Sequence, residues 1–346
     1  MARGLGAFES DGGRAELSIL GQAGFMQVSC SFHAGTLRGD AGTYAKAIAP
    51  ANGGVRSGAA EKRRGRGGNR RLAVWWISYG FGMDLVLQSH LPFAPWADPR
   101  TRRLPGTQPM EPGDWLRVDD AFAGQMALRA ALIAQRRAQV HALDGGAMPA
   151  AVELLDRVLG ELPGLGYRVG SDAVLRPDGV EVRIDRAAPL ITLGHLCQND
   201  FCLMEKRGAE HVLTGAILCF PASWTLAEKF LRPMVGIHAP VAVYDGDLAR
   251  RVQRLFDAIR VEQPLWRANA LHYEDAELFH PRSEAEPRRK PQGLGGFIRS
   301  ERQGFVKLPV SGAVVFSIHT YLVRDESLTP GQVAALAAHP IHRAGG

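Results

Sequence analysis

Two neighbouring strand patterns, a helical insert and three later strand patterns, in that order, predict an α+β fold for this 346-residue chain. The expected architecture is a PAS-like antiparallel sheet with a helical insert, spanning about 190–325 and preceded by a helical N-terminal region. Hydrophobic residues make up 46% of the chain and charged residues 22%. That is enough apolar material to bury a core, and it excludes a collagenous, wholly disordered or disulfide-dense protein.

The elements follow in chain order. Leu91-Pro92-Phe93-Ala94-Pro95-Trp96 and the Pro/Gly-rich residues up to Gly113 read as an extended lead-in, because proline fixes φ and interrupts regular structure. Asp119 or Asp120 is expected to cap a helix running to about His141, with Phe122, Met126, Ile133 and Val140 along one stripe. A second helix starts near Pro149, repeats Val152, Leu155, Leu159 and Leu162 at helical spacing, and stops at Pro163-Gly164. Asp178-Gly179 marks a hairpin turn within 174–182. The strand pair is expected at 201–206 and 211–220, joined by a turn at Arg207-Gly208. In the insert, Ser223 is expected to cap a helix over 224–231, and Asp245 or Asp247 a helix reaching Arg260. The three remaining strands fall at about 265–273, 294–302 and 311–323.

Charge divides the chain. The net charge of +6 lies entirely in residues 1–82, which hold 11 basic and 5 acidic residues together with 17 of the 40 glycines. Residues 83–346 carry 30 of each sign. The remainder is therefore electroneutral and has no net basic surface for nucleic acid. Residues 1–82 read as a disordered or non-native extension, with Met83 as the natural start and 83–346 as a single catalytic domain. The apolar run after Arg70-Arg71 is stopped by Asp84, too early for a membrane span, so no membrane partner is expected and the localisation reads as cytoplasmic. Cys30, Cys197, Cys202 and Cys219 are too few and too irregular for a disulfide framework and read as reduced thiols. Neither a GxGxxG after a strand nor an HExxH or paired CxxC is found, so no nicotinamide, flavin or zinc site is expected in this chain.

Leu91-Pro92-Phe93, Gln198-Asn199-Asp200, Met204-Glu205-Lys206, Phe220-Pro221-Ala222-Ser223-Trp224, Ile237-His238-Ala239-Pro240-Val241, Arg267-Ala268-Asn269, Glu301-Arg302-Gln303, Leu308-Pro309 and Thr320-Tyr321-Leu322 occur in order. As a set they resemble the haem-dependent oxidative N-demethylase catalytic (alpha) subunits, over roughly residues 90–325. The resemblance implies a PAS-like fold holding haem, and attack with dioxygen on a small, dimethylamine-like secondary amine. It also implies separate flavin reductase and ferredoxin-like subunits that bring electrons through NADPH, FMN and an iron–sulfur cluster. Three positions depart from the family pattern: Asn199 stands in place of an acidic residue, Ala242 in place of proline and Ala270 in place of tryptophan.

On that reading His238 is the expected axial ligand, held on an extended backbone before Ala239-Pro240, with His195 and His211 in reserve. Arg267, Arg299 and Arg302 are expected to meet the haem propionates, because arginine forms charge-assisted bonds to carboxylates. Glu205 and Asp200 are the candidate catalytic carboxylates for the amine, which is a cation near neutral pH; Trp224 and Tyr244 are candidate aromatic walls. The competing readings are a haem or small-molecule sensor of PAS type, and an assembly scaffold that has lost its haem.

Overall fold

The computed structural model describes residues 86–102, 106–238, 253–286 and 295–341. The expected helices over the first half form where the apolar stripe and the prolines place them: Phe122–Val140, and Met148–Glu161 with proline in its first turn. A third helix, Pro189–Leu196, packs beside both. The first helix is capped differently from the expectation. Its N-cap is Ala121, and Asp119 instead accepts the Ala121 N–H on its side chain at 3.1 Å. Asp120 is drawn off to Ser89, whose N–H it accepts at 2.8 Å.

Ten strands are described: β1 (Gln108–Pro109), β2 (His141–Leu143), β3 (Arg168–Val169), β4 (Ala173–Leu175), β5 (Glu181–Arg183), β6 (Asp200–Arg207), β7 (Glu210–Ile217), β8 (Leu265–Tyr273), β9 (Phe297–Lys307) and β10 (Val314–Arg324). The main sheet is antiparallel throughout, in the order β1-β8-β9-β10-β6-β7-β2, so the last long strand lies against the first. The expected hairpin at Asp178-Gly179 joins β4 to β5, and the turn after Arg207 joins β6 to β7. Gly179 and Gly208 take φ values of +82° and +65° there, where a side chain would be strained.

Four expectations are corrected. β9 runs on to Lys307 instead of stopping near 302. Gly304 is mid-strand because Trp115 and Met110 close over it; a Cβ there would sit 2.6 Å from Ser317 Oγ. Ser223 caps no helix: it has φ +63°, and a short helix, Leu226–Lys229, begins after Thr225. His238 is helical, the last residue of Met234–His238. Proline restricts the residue directly before it, here Ala239, and leaves His238 free to close a helical turn. The later insert helix is described from residue 253 and ends at 258, short of Arg260; its proposed caps Asp245 and Asp247, with Tyr244, lie outside the described residues.

The sheet is covered on both sides, which explains why β9 (FIRSERQGFVK) shows no apolar–polar alternation. One face packs against the three helices through Met126, Leu154, Leu193, Phe201, Leu203 and Val315, and further along against the lead-in and the helix Pro330–Ala338. The other face meets the insert through Met204, Trp224, Met234, Ile237, Phe256 and Phe316. Among the described residues no helix is long and apolar enough to cross a membrane.

Candidate functional site

Side chains alternate along a strand, so Arg299, Glu301, Gln303 and Phe305 of β9 share one face while Ser300, Arg302 and Gly304 share the other. Register extends the first set sideways. On β8, Arg267 pairs with Gln303 and Asn269 with Glu301; on β10, Thr320 pairs with Glu301 and Ile318 with Gln303. Phe305 and Ile318 run into the apolar cluster of Trp224, Ile237 and Phe256, so this is the face beneath the insert. A polar patch therefore sits where the sheet would otherwise bury apolar side chains.

The patch is organised around Glu301. Its Oε2 accepts from Gln303 Nε2 at 2.9 Å and Asn269 Nδ2 at 3.2 Å, and its Oε1 lies 3.5 Å from Arg299 Nη2. Arg299 also donates to the carbonyls of Phe220 at 2.6 Å and Leu278 at 3.0 Å, with its guanidinium over the Tyr273 ring. Arg267 is buried, and burial pulls its guanidinium down to about 10 against the opposing pull of Glu301. Arg299 Nε and Thr320 Oγ1 are buried with no hydrogen-bond partner among the described residues. Buried polar atoms left unbonded cost on the order of 1–3 kcal/mol each, which marks the patch as a candidate site.

The sequence-predicted residues divide around this patch. Arg267 and Arg299 belong to it. Arg302 does not: three positions along a strand reverses the face, and Arg302 instead pairs with Asp114 and lies 4.9 Å over the Trp266 ring. Trp224 is buried in the insert cluster. Asp200 is fully engaged elsewhere, accepting from Arg129 Nη1 at 2.6 Å and from the backbone N–H of Cys219 and Phe220 at 2.7 and 2.8 Å. Glu205 lies beyond the register shift of β6, partly exposed, with Arg207 3.9 Å away. Neither carboxylate joins the patch. His195 sits on the helix side of the sheet, and its carbonyl accepts from Arg176. The Nδ1 of His211 is bonded to Gln253 at 2.8 Å. Burial lowers the pKa of both imidazoles. Of the departures, Ala270 packs with the lead-in cluster on the far face, Asn199 lends its carbonyl to Arg129, and Ala242 lies outside the described residues. Cys197, Cys202 and Cys219 are buried free thiols.

Asn269, Glu301, Gln303 and Thr320 went unassigned in the sequence reading. Residues 299–303 are five consecutive polar residues, Arg-Ser-Glu-Arg-Gln, so no alternation in the sequence tells which of them share a face.

A half-buried carboxylate, Asp119, lies on the helix side. It accepts from His319 Nε2 at 2.9 Å, Gln88 Nε2 at 2.9 Å and Gln198 Nε2 at 2.8 Å. Burial raises its pKa, but the bonds to His319 and the glutamines outweigh this, and the net shift is downward. A depressed carboxyl contributes stability above its unfolded pKa, near 3.9, and loses that contribution as pH falls through the folded value. Asp119→Asn should therefore lose less stability than the parent between pH 5 and the acid limit, read as urea midpoints across that window. Identical acid limbs would refute the assignment.

Compared with known families, residues 106–343 match the model described as haem-dependent oxidative N-demethylase, alpha subunit-like.

Proposed function

The chain belongs to the haem-dependent oxidative N-demethylase alpha subunit-like family, and from that membership we propose that it is the haem-binding catalytic subunit of an oxidative demethylase for a small secondary amine. The observation that carries the reading is the buried charged patch of Arg267, Asn269, Arg299, Glu301, Gln303 and Thr320 under the insert. The strand order, with β10 beside β6, supports the PAS-like reading, in which a ligand lies between the sheet and its helical insert.

The donor set fits haem. Arg267 would meet a propionate, assisted by the open Nε of Arg299 and hydroxyl of Thr320. His238, at the end of an insert helix, would hold the haem iron, and Trp224 would form a wall. When bound, haem supplies an iron centre able to activate dioxygen. Glu301, inside the patch, would take the role for which Asp200 and Glu205 are the sequence candidates. Its carboxylate would hold the substrate ammonium and accept a proton from it, which leaves the nitrogen lone pair available. Overall, the amine, dioxygen, two electrons and two protons become the demethylated amine, formaldehyde and water. The electrons would come from flavin reductase and ferredoxin-like partners carrying FMN and an iron–sulfur cluster and fed by NADPH.

The test is spectroscopic first. The purified chain should show a Soret band at about one haem per chain, respond spectrally to dimethylamine, and release formaldehyde when given electrons and dioxygen. A chain that stays colourless after haem titration would overturn the reading. An amine-induced spectral change without formaldehyde would favour a sensor.

A further inference from the structure

Two buried groups in the patch lack an acceptor. Arg299 donates its Nη1 to the Leu278 carbonyl at 3.0 Å and its Nη2 to the Phe220 carbonyl at 2.6 Å. Its Nε, like Thr320 Oγ1, has no hydrogen-bond partner among the described residues. Both residues are buried, Arg299 at 2% and Thr320 at 1% exposure. A buried N–H is satisfied only by a lone pair, so the ligand that completes this corner carries an acceptor oxygen. An ammonium has donors alone. The substrate nitrogen therefore answers Glu301 and leaves these two groups unmet.

Strand register says where that oxygen belongs. Thr320 pairs directly with Glu301, which sets their Cβ atoms about 4.5–5.5 Å apart. Arg299 stands two residues before Glu301 on β9, on the same face. Arg267 is on β8, opposite Gln303, and β9 separates it from Thr320. Glu301 is thus the neighbour of both groups and Arg267 of neither. A propionate on Arg267 reaches them only across Glu301, whereas a ligand held at Glu301 meets them directly. Charge points the same way. With Arg267 given to a propionate, Arg299 and Glu301 balance, and a bare ammonium adds an uncompensated charge to a buried face. A zwitterion adds none.

We infer that the substrate is an N-methylated amino acid, a secondary amine whose own carboxylate lies one carbon from the nitrogen. Glu301 holds its ammonium, and Arg299 Nε with the Thr320 hydroxyl holds its carboxylate. The inference rests on the reading of Glu301 as the ammonium site. The balance of the reaction is unaltered: the N-methyl amino acid, dioxygen, two electrons and two protons become the amino acid, formaldehyde and water.

The experiment titrates the haem-loaded full chain with N-methylglycine and with N-methylethylamine, which has a methyl group in place of the carboxylate. The readout is the concentration that half-completes the haem spectral change. N-methylglycine should need a concentration about 10-fold lower or less, the effect of one or two hydrogen bonds to a charged group. Thr320→Val should reduce that preference about 10-fold, and Thr320→Ser, which keeps the hydroxyl, should retain it. The preference of the parent chain carries the test if Thr320→Val does not fold. If both amines move the spectrum and N-methylglycine has no advantage, this inference is overturned and the demethylase reading stands. A preference that survives Thr320→Val also overturns it; faster transfer of haem from that variant to apomyoglobin then assigns the hydroxyl to a propionate. If neither these amines nor dimethylamine changes the spectrum, the ammonium site itself falls, and this inference with it.

Discussion

Arg129→Met is expected to destabilise the chain by about 3–5 kcal/mol, the cost of breaking a buried ion pair from one side. Arg129 is fully buried and satisfies four acceptors: the carbonyls of Gly194, Gln198 and Asn199 at 3.2, 3.2 and 3.0 Å, and Asp200 Oδ1 at 2.6 Å. Asp200 in turn holds the backbone N–H of Cys219 and Phe220, and Arg299 of the candidate site holds the Phe220 carbonyl. One arginine thus ties the helix Phe122–Val140 to the start of β6 and, through Phe220, to the edge of the patch. Methionine preserves the aliphatic stem but strands a carboxylate in the interior. Adding Asp200→Asn should recover part of the loss, because the unpaired charge is then removed. Urea unfolding measures both; a loss below about 1 kcal/mol for Arg129→Met would show that the pair is solvated.

Glu301→Gln should leave haem binding in place and weaken the response to dimethylamine by about 30-fold or more, equivalent to about 2 kcal/mol for removing one partner of a buried charge pair. Glutamine is nearly isosteric and keeps one oxygen for the amide of Asn269 or Gln303, so packing is preserved while the anionic charge is lost. The parallel changes Glu205→Gln and Asp200→Asn separate the alternatives. Glu205→Gln should leave the amine response unchanged, since Glu205 lies outside the patch near Arg207. Asp200→Asn should lower stability without selectively weakening amine binding. The titration is read as the amine concentration that half-completes the haem spectral change. If Glu205→Gln weakens it and Glu301→Gln does not, the amine is held at the open end of the β6–β7 hairpin, and the assignment to Glu301 is wrong.

Much of this was legible in residue order. The apolar stripe of Phe122, Met126, Ile133 and Val140, the proline near the start of Met148–Glu161, and the Asp178-Gly179 turn are local signals, and the structure meets each where local chemistry puts it. β8 falls at 265–273 as expected, because its ends are marked by Pro264 on one side and a charged break on the other. Other features have no local signal. β1 and β2 have two and three residues, too few to show a period, and exist only because sheet edges were available to pair with them. Gly304 looks like a turn residue and is instead the gap into which Trp115 and Met110 pack. Sequence order alone determined an α+β chain with two strands, an insert and three strands, since periodicity, proline and glycine act over a few residues. Tertiary structure alone decided that Asp200 belongs to Arg129, that Arg302 turns away from Arg267 and Arg299, and that Glu301 shares their face of the sheet. Those outcomes depend on strand register and on which buried charge finds which partner, and both are settled between residues far apart in the chain.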